Sequence, residues 1–423
     1  MASRFWVGGT GNWDASTTTN WAATSGGAGG ETVPTASDDV TFDTLSNATA
    51  YTVTITATAD CANLVIGNPL AGALTLAGSS ALNIYGNFNI ADITRTYTGA
   101  ITFRATTTGK TITFNGETMA STTTFNGVGG GWTLQDAWNN GSASITLTSG
   151  TLNTNGVTVT CGNFFGNGSG TKTLTLGASS LTVTQWAFTG QTNTTLNANT
   201  STINCSTNNQ FGGGGLTYNN YVNTGTVPQI DDVNTFANLT WTGPAAKTGA
   251  LTFSANQTIT GTLTLTGNSV INRGLVKSSV LGTARTLTAA IIVVDKIDFE
   301  DITGAGAASW DMSAAVGYTG NCGGNSMKAL GDAAFTTAAT QTATGTVSFT
   351  WSTHGWTSRV PLPQDDVVVN NAFGTSQTVT ADMPRLGKSI DWTGATWTTA
   401  LTWAMSTATS IFGSLTMVNS LTM

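Results

Sequence analysis

The chain has 423 residues, of which 8% are charged, 21 acidic against 14 basic, and a single histidine. An average soluble domain is about a quarter charged, whereas here 51 Gly and 86 Thr supply much of the chain. That composition excludes a long-helix protein, which needs Ala, Leu, Glu, Lys and Arg in quantity, and a multi-histidine metal site. A net charge of −7 leaves no basic patch for a phosphate backbone, so nucleic acid is not an expected partner. The 39% hydrophobic share, spaced regularly, excludes a charged disordered tail.

The N-terminus carries no apolar run of a secretory signal, so the chain is expected to be assembled inside a cell unless a leader has been removed. Trp6, Trp13 and Trp21 crowd the first 21 residues and are followed by the Gly-rich stretch Gly26 to Gly30. Residues 1–48 therefore predict an irregular, aromatic-rich cap or docking segment, whose indoles plug the open end of a fold or bind a partner. Neither Gly26–Gly30 nor Gly212–Gly215 is followed by a helix or by Gly-Lys-Ser/Thr, so both predict tight turns rather than phosphate loops.

From Val53 and Ile55 onward, apolar residues alternate with Thr over four to six residues between Gly, Asn and Ser, as in Leu74-Thr-Leu76 and Leu263-Thr-Leu265. Period-two alternation with turn residues at its ends predicts strands. Met327 to Phe335 is the best short helix candidate. Ala289 to Val294, the longest apolar run, is too short to span a bilayer, so membrane insertion is not expected. Between 150 and 206, three columns share one interval: Leu152, Leu174 and Leu196; Val159, Leu181 and Ile203; Cys161, Val183 and Cys205, each 22 apart. A fixed return distance predicts an all-β parallel β-helix, or solenoid, with tandem β-sandwich modules as the alternative. At about 4.8 Å per coil, residues 49–330 would form roughly thirteen coils over about 60 Å. Cys161 and Cys205, two coils apart in one column, would then be too distant for a disulfide and should be reduced. Cys61, Cys161, Cys205 and Cys322 form no C-x-x-C pair and are expected to be free and buried.

A longer repeat overlies this one. Val33-Pro34 and Asp38-Asp39-Val40 return as Val360-Pro361 and Asp365-Asp366-Val367; Thr52-Val53-Thr54 and Ala59-Asp60 return as Thr378-Val379-Thr380 and Ala381-Asp382. A third relative holds Val227-Pro228 and Asp231-Asp232-Val233. Residues 331–423 therefore predict the start of a second, related module. It is expected to continue past 423, because the end at Leu421-Thr422-Met423 carries no capping segment.

The candidate chemistry is thin. Asp38/Asp39, Asp231/Asp232 and Asp365/Asp366 are adjacent strand residues facing opposite ways, which suits turn capping better than shared-proton work. In the acidic patch of Asp295, Asp298, Glu300 and Asp301, Asp298 and Glu300 share a face. They can be read as glycosidase carboxylates or Ca²⁺ ligands, against the plainer expectation of a solvated strand. His354, in a Trp-rich turn, carries little weight for a Ser-His-Asp triad. Asn47 and Asn193 begin Asn-x-Ser/Thr sequons that follow from composition. Trp132, Trp138, Trp186, Tyr218 and Tyr221 can face outward and stack on sugar rings, or pack in the core. No residue is assigned as catalytic, cofactor-binding or metal-ligating, and no cofactor is expected.

Three segments carry a resemblance: Trp6-Val-Gly-Gly-Thr-Gly-Asn-Trp13; Val33 to Val40 with Phe42-Asp43; and Ile297 to Gly304 followed by Trp310 and Gly320 to Asn325. With them the chain resembles long Thr/Gly/Asn-rich β-helical virion-surface proteins of tailed bacteriophages: tail fibres, tailspike-like proteins and capsid-attached fibres. The resemblance implies a non-enzymatic virion structural protein at the particle surface, mediating host attachment or decoration. It implies other virion proteins as partners through the N-terminal segment, and a host-surface glycan or protein beyond them; a homotrimer is one assembly open to it. Two alternatives stand beside this: a secreted bacterial adhesin or surface-layer protein, and a polysaccharide-degrading tailspike.

Overall fold

The structure is a computed structural model describing residues 2–67 and 69–418. It is 47% strand and 2% helix and winds as a parallel β-solenoid of about 16 turns. The sandwich alternative is thereby set aside. Helix is confined, among the described residues, to the 3₁₀ turns Thr18–Asn20, Gly331–Ala334 and Trp351–Thr353. The segment from Met327 to Phe335 thus makes one such turn rather than an α-helix. Two compact units divide the chain: residues 1–206 with 210–221, and residues 207–209 with 222–423.

In the first unit each coil lays down short strands on three faces, because runs of three to five β-formers alternate with corner residues. One face stacks Ser3–Trp6 on Asp39–Phe42, then Leu64–Ile66 and Phe88–Ile90, all parallel. A second runs from Gly11–Trp13 through Tyr51–Ile55 to Leu74–Gly78, and a third from Ala59–Cys61 through Leu82–Ile84 to Ile101–Phe103. The three 22-residue columns are borne out pair by pair: Leu152 on Leu174 on Leu196, Val159 on Leu181 on Ile203, Cys161 on Val183 on Cys205. The corners keep the same step, since Asn155 (φ 55°), Gly177 (φ 58°) and Asn199 (φ 49°) are all left-handed, a conformation that Gly and Asn tolerate best. Earlier coils step by 24: Val40, Leu64, Phe88 and Ile112 form one column, with Leu134 next.

Residues 1–48 are less irregular than their composition suggests. Ser3–Trp6 and Asp39–Phe42 are already rungs of the sheet, and the chain between them doubles back with Trp6 opposite Trp21. Trp6, Trp13 and Trp21 are buried around Phe42, with Trp6 and Trp21 edge to face at 5.1 Å. They fill the mouth of the first coil, where core would otherwise meet water. The Gly-rich loop passes close to backbone: a Cβ on Gly29 would lie 2.0 Å from the Thr19 carbonyl oxygen.

The second unit has parallel winding of its own: Gln257–Thr266 pairs with Arg285–Asp295, and Gly274–Ser278 with Ile297–Glu300, which pairs in turn with Thr319–Asn321. A new solenoid then begins. Thr340–Ala343, Asp366–Val369, Ser389–Asp391 and Leu415–Thr416 make a separate parallel sheet. Its core gathers Trp351, Trp356, Trp392 and Trp403 with Val367, Val379, Leu386 and Ile390. The end at Leu421-Thr422-Met423 lies outside the described residues.

Candidate functional site

The Asp-Asp repeats resolve into a start device used twice. The Thr35-to-Asp38 turn closes with Asp38 N–H donating to the Thr35 carbonyl at 3.0 Å, and the Leu362-to-Asp365 turn closes the same way at 2.9 Å. The first carboxylate of each pair folds back into its turn. Asp38 accepts from the Thr35 N–H (3.0 Å), the Thr35 hydroxyl (2.7 Å) and the Ala2 N–H (3.3 Å). Asp365 accepts from the Leu362 N–H (2.9 Å) and the Ala339 N–H (2.8 Å), and from Arg359 Nη2 (2.6 Å). Ala2 and Ala339 immediately precede the first strand of each solenoid. The carboxylate therefore ties the start of the first rung to the turn that launches the second. Burial would raise the Asp38 carboxyl, but Thr35, Ala2 and the Arg4 charge outweigh it and hold the group below its ordinary value. The second carboxylate points outward to the next coil: Asp39 to Asn63, Asp366 to the Ser389 hydroxyl. Asp231/Asp232 do not repeat the device. Asp232 is left-handed (φ 65°), and the turn there is held by Asn234 and Gln257. The Ala59-Asp60 and Ala381-Asp382 correspondence also fails, because Asp60 is mid-strand beside Asn83 while Asp382 follows its strand and meets Lys247.

The acidic patch is where the second solenoid lies against the coil of Ile297–Glu300. Alternation turns Ile297 and Phe299 inward and Asp298 outward, yet Asp298 is fully buried. Arg273 from the preceding coil and Arg385 from the second solenoid grip it, Arg273 Nε at 3.0 Å from Oδ1 and Arg385 Nε on Oδ2. Arg273 also donates through Nη2 to the Pro361 carbonyl (3.2 Å), and Arg385 through Nη2 to the Arg273 carbonyl (2.8 Å). Burial pushes the Asp298 carboxyl up, but the two guanidiniums overcome it and keep it below the ordinary carboxylate range. Around this triad Gln364 receives the Asn321 N–H (2.8 Å) and donates to the Thr319 and Thr336 carbonyls, while Lys247 pairs with Asp382. The solvated-strand expectation fails at Asp298, and so does its pairing with Glu300 as glycosidase acids or Ca²⁺ ligands. Asp298 is sealed by arginines, whereas Glu300 is only half-buried, its carboxyl raised by that burial. Among the described residues no cluster of three or more His, Cys, Asp or Glu is placed to hold a metal.

No protein-family model matches the chain, and no curated protein or solved structure matches it significantly. The remaining candidates must be judged on geometry. Trp132, Trp138, Trp186, Tyr218 and Tyr221 all point inward and are buried, which removes the sugar-stacking reading for them. Trp186 stacks on Phe164 at 5.0 Å and donates its indole N–H to the Tyr218 hydroxyl at 3.0 Å. His354 stacks on Phe349 at 4.2 Å, and burial lowers its pKa. Asn193 spends its amide on the Ser169 carbonyl and on Lys172 Nζ, and Asn47 donates to the Thr49 carbonyl. All four cysteines are buried and outside any disulfide, as their spacing suggested. No helix among the described residues is long and apolar enough to cross a membrane.

Sequence reasoning missed the arginines of the seam, Arg273, Arg359 and Arg385. Their signal was scarcity: with 14 Lys and Arg in 423 residues, two arginines on Asp298 and a third on Asp365 are a departure from the background.

Proposed function

We propose that the chain is a non-enzymatic structural protein of a tailed-bacteriophage virion, a stiff fibre or surface decoration that serves host attachment or display. The observation that carries this reading is the solenoid itself, whose backbone pairing runs from coil to coil. Coils so paired resist bending, and a surface of Thr, Ser and Asn stays hydrated with little charge. The chain's buried carboxylates, Asp38, Asp298, Asp301 and Asp365, are committed to turns, backbone N–H groups and ion pairs that hold the coils together. The N-terminal end is the proposed contact with other virion proteins. Its indoles are already buried in the chain, so a partner would meet the shell around them.

Mass spectrometry of gradient-purified particles tests the assignment, together with binding of the purified chain to host cells. The expected result is a stoichiometric virion component that leaves capsular polysaccharide intact. Recovery only from the bacterial envelope or medium would make it an adhesin or surface-layer protein, and depolymerisation of the polysaccharide would make it a tailspike enzyme.

A further inference from the structure

We propose that the seam holds a binding site for a small oxyanion, a carboxylate or phosphate group, with Arg359 as its principal ligand. A cavity of about 280 Å³ opens between the two solenoids of the second unit, lined by Val270, Arg273, Tyr318, Ser358, Arg359 and Val360. Its charged lining is two guanidiniums, and no carboxylate faces it. Asp298 and Asp365, which pair with these arginines, are not part of that lining. Arg359 is incompletely used: Nη2 donates to the Thr337 carbonyl (2.9 Å) and to Asp365, but its buried Nε–H has no partner among the described residues. A buried donor on a charged group left unsatisfied is costly, and an oxyanion is the acceptor that suits it best. The guanidinium is also held in place, 5.4 Å above the Tyr318 ring, so little freedom is lost on binding. Ser358 is held by Gln341, and Tyr318 with the apolar rim of Val270 and Val360 completes a lining suited to a phosphate ion or to the carboxylate end of an acidic sugar. This site does not depend on the virion reading; it would exist in an adhesin or an enzyme equally.

The test is calorimetric titration of the full chain at low ionic strength with sodium phosphate, glucuronate and, as neutral control, glucose. One saturable site per chain is expected for the anions, with a dissociation constant on the order of millimolar or tighter, and none for glucose. Tighter glucuronate would identify an acidic glycan as the ligand class, and tighter phosphate a free or esterified phosphate. Arg359→Gln should weaken anion binding at least about tenfold. Because Arg359 also pairs with Asp365, Val270→Trp serves as the second variant. It fills the rim, leaves every ion pair in place, and should abolish binding with an unchanged melting temperature. Absence of saturable heat with both anions, equal binding of glucose, or full binding by Val270→Trp would overturn the assignment.

Discussion

Asp298 shows how a carboxylate changes role when a distant segment covers it. Two guanidiniums hold its folded-state pKa below the ordinary value of about 3.9. The stability it contributes is therefore fully present above about pH 4 and is lost as pH falls through the folded value. Asp298→Asn leaves two buried guanidiniums facing one amide and should cost about 3–5 kcal/mol at neutral pH. In urea titrations it should also flatten the acid limb of stability below about pH 4. A loss under about 1 kcal/mol would mean that water reaches the seam. The start device gives a graded comparison. Asp365 is fully buried and receives two backbone N–H groups and an arginine, whereas Asp366 is exposed and meets one hydroxyl. Asp365→Ala should cost about 2–4 kcal/mol and Asp366→Ala under about 1 kcal/mol, since charge-assisted buried bonds carry most of the energy. Equal losses in thermal melts would show that the turn is not the element being held.

At the level of the coil, inward aromatics are matched by glycines on neighbouring strands. A Cβ on Gly166 would stand 2.3 Å from the Phe188 ring, one on Gly274 2.5 Å from Trp241, and one on Gly304 2.4 Å from Trp310. Gly304→Ala should therefore overpack the core and cost about 1–3 kcal/mol or more, read as a shift in the denaturation midpoint with unchanged slope. Gly166 and Phe188 are themselves 22 residues apart, so this pairing was present in the same period that revealed the solenoid. The 24-residue columns of the first coils, Val40 to Ile112, were equally available and went unread, because low-complexity Thr tracts on either side mask a step that changes from 24 to 22. The inward direction of Trp132, Trp138 and Trp186 was not legible. Alternation says which residues share a face, but not which face is the core until coil registers are known. The thiols follow from the same packing: burial raises Cys161 to about 12 and pushes Cys61 higher still. All four should be silent to Ellman's reagent at pH 8 in the native state and react together once urea unfolds the chain. Rapid native reaction of Cys161 would contradict its place inside the 22-residue column.

Over the whole molecule, the repeat that marked a second module was readable, but its attachment was not. Asp298 and Arg385 are 87 residues apart, and nothing local to either predicts their meeting. The two start devices are alike in their turns yet unlike in what they present outward. The second solenoid carries Arg385 at the head of Arg385–Gly387, whereas the matching strand of the first, Ala59–Cys61, begins with alanine. The seam is thus an addition to the shared device, built where the second solenoid needs an anchor. Solenoid stability is a sum of local and nearest-neighbour contributions, so a lesion should stay near its origin. Arg385→Gln breaks the triad while leaving the second core of Trp351, Trp392 and Trp403 intact. In hydrogen-exchange mass spectrometry the variant should lose protection chiefly in residues 270–300 and 340–416. Amides of residues 50–200, whose rungs pair only with adjacent coils, should keep native rates to within about threefold, which corresponds to less than 1 kcal/mol. A uniform loss along the chain would show that it unfolds as one cooperative block, and the nearest-neighbour account would fall.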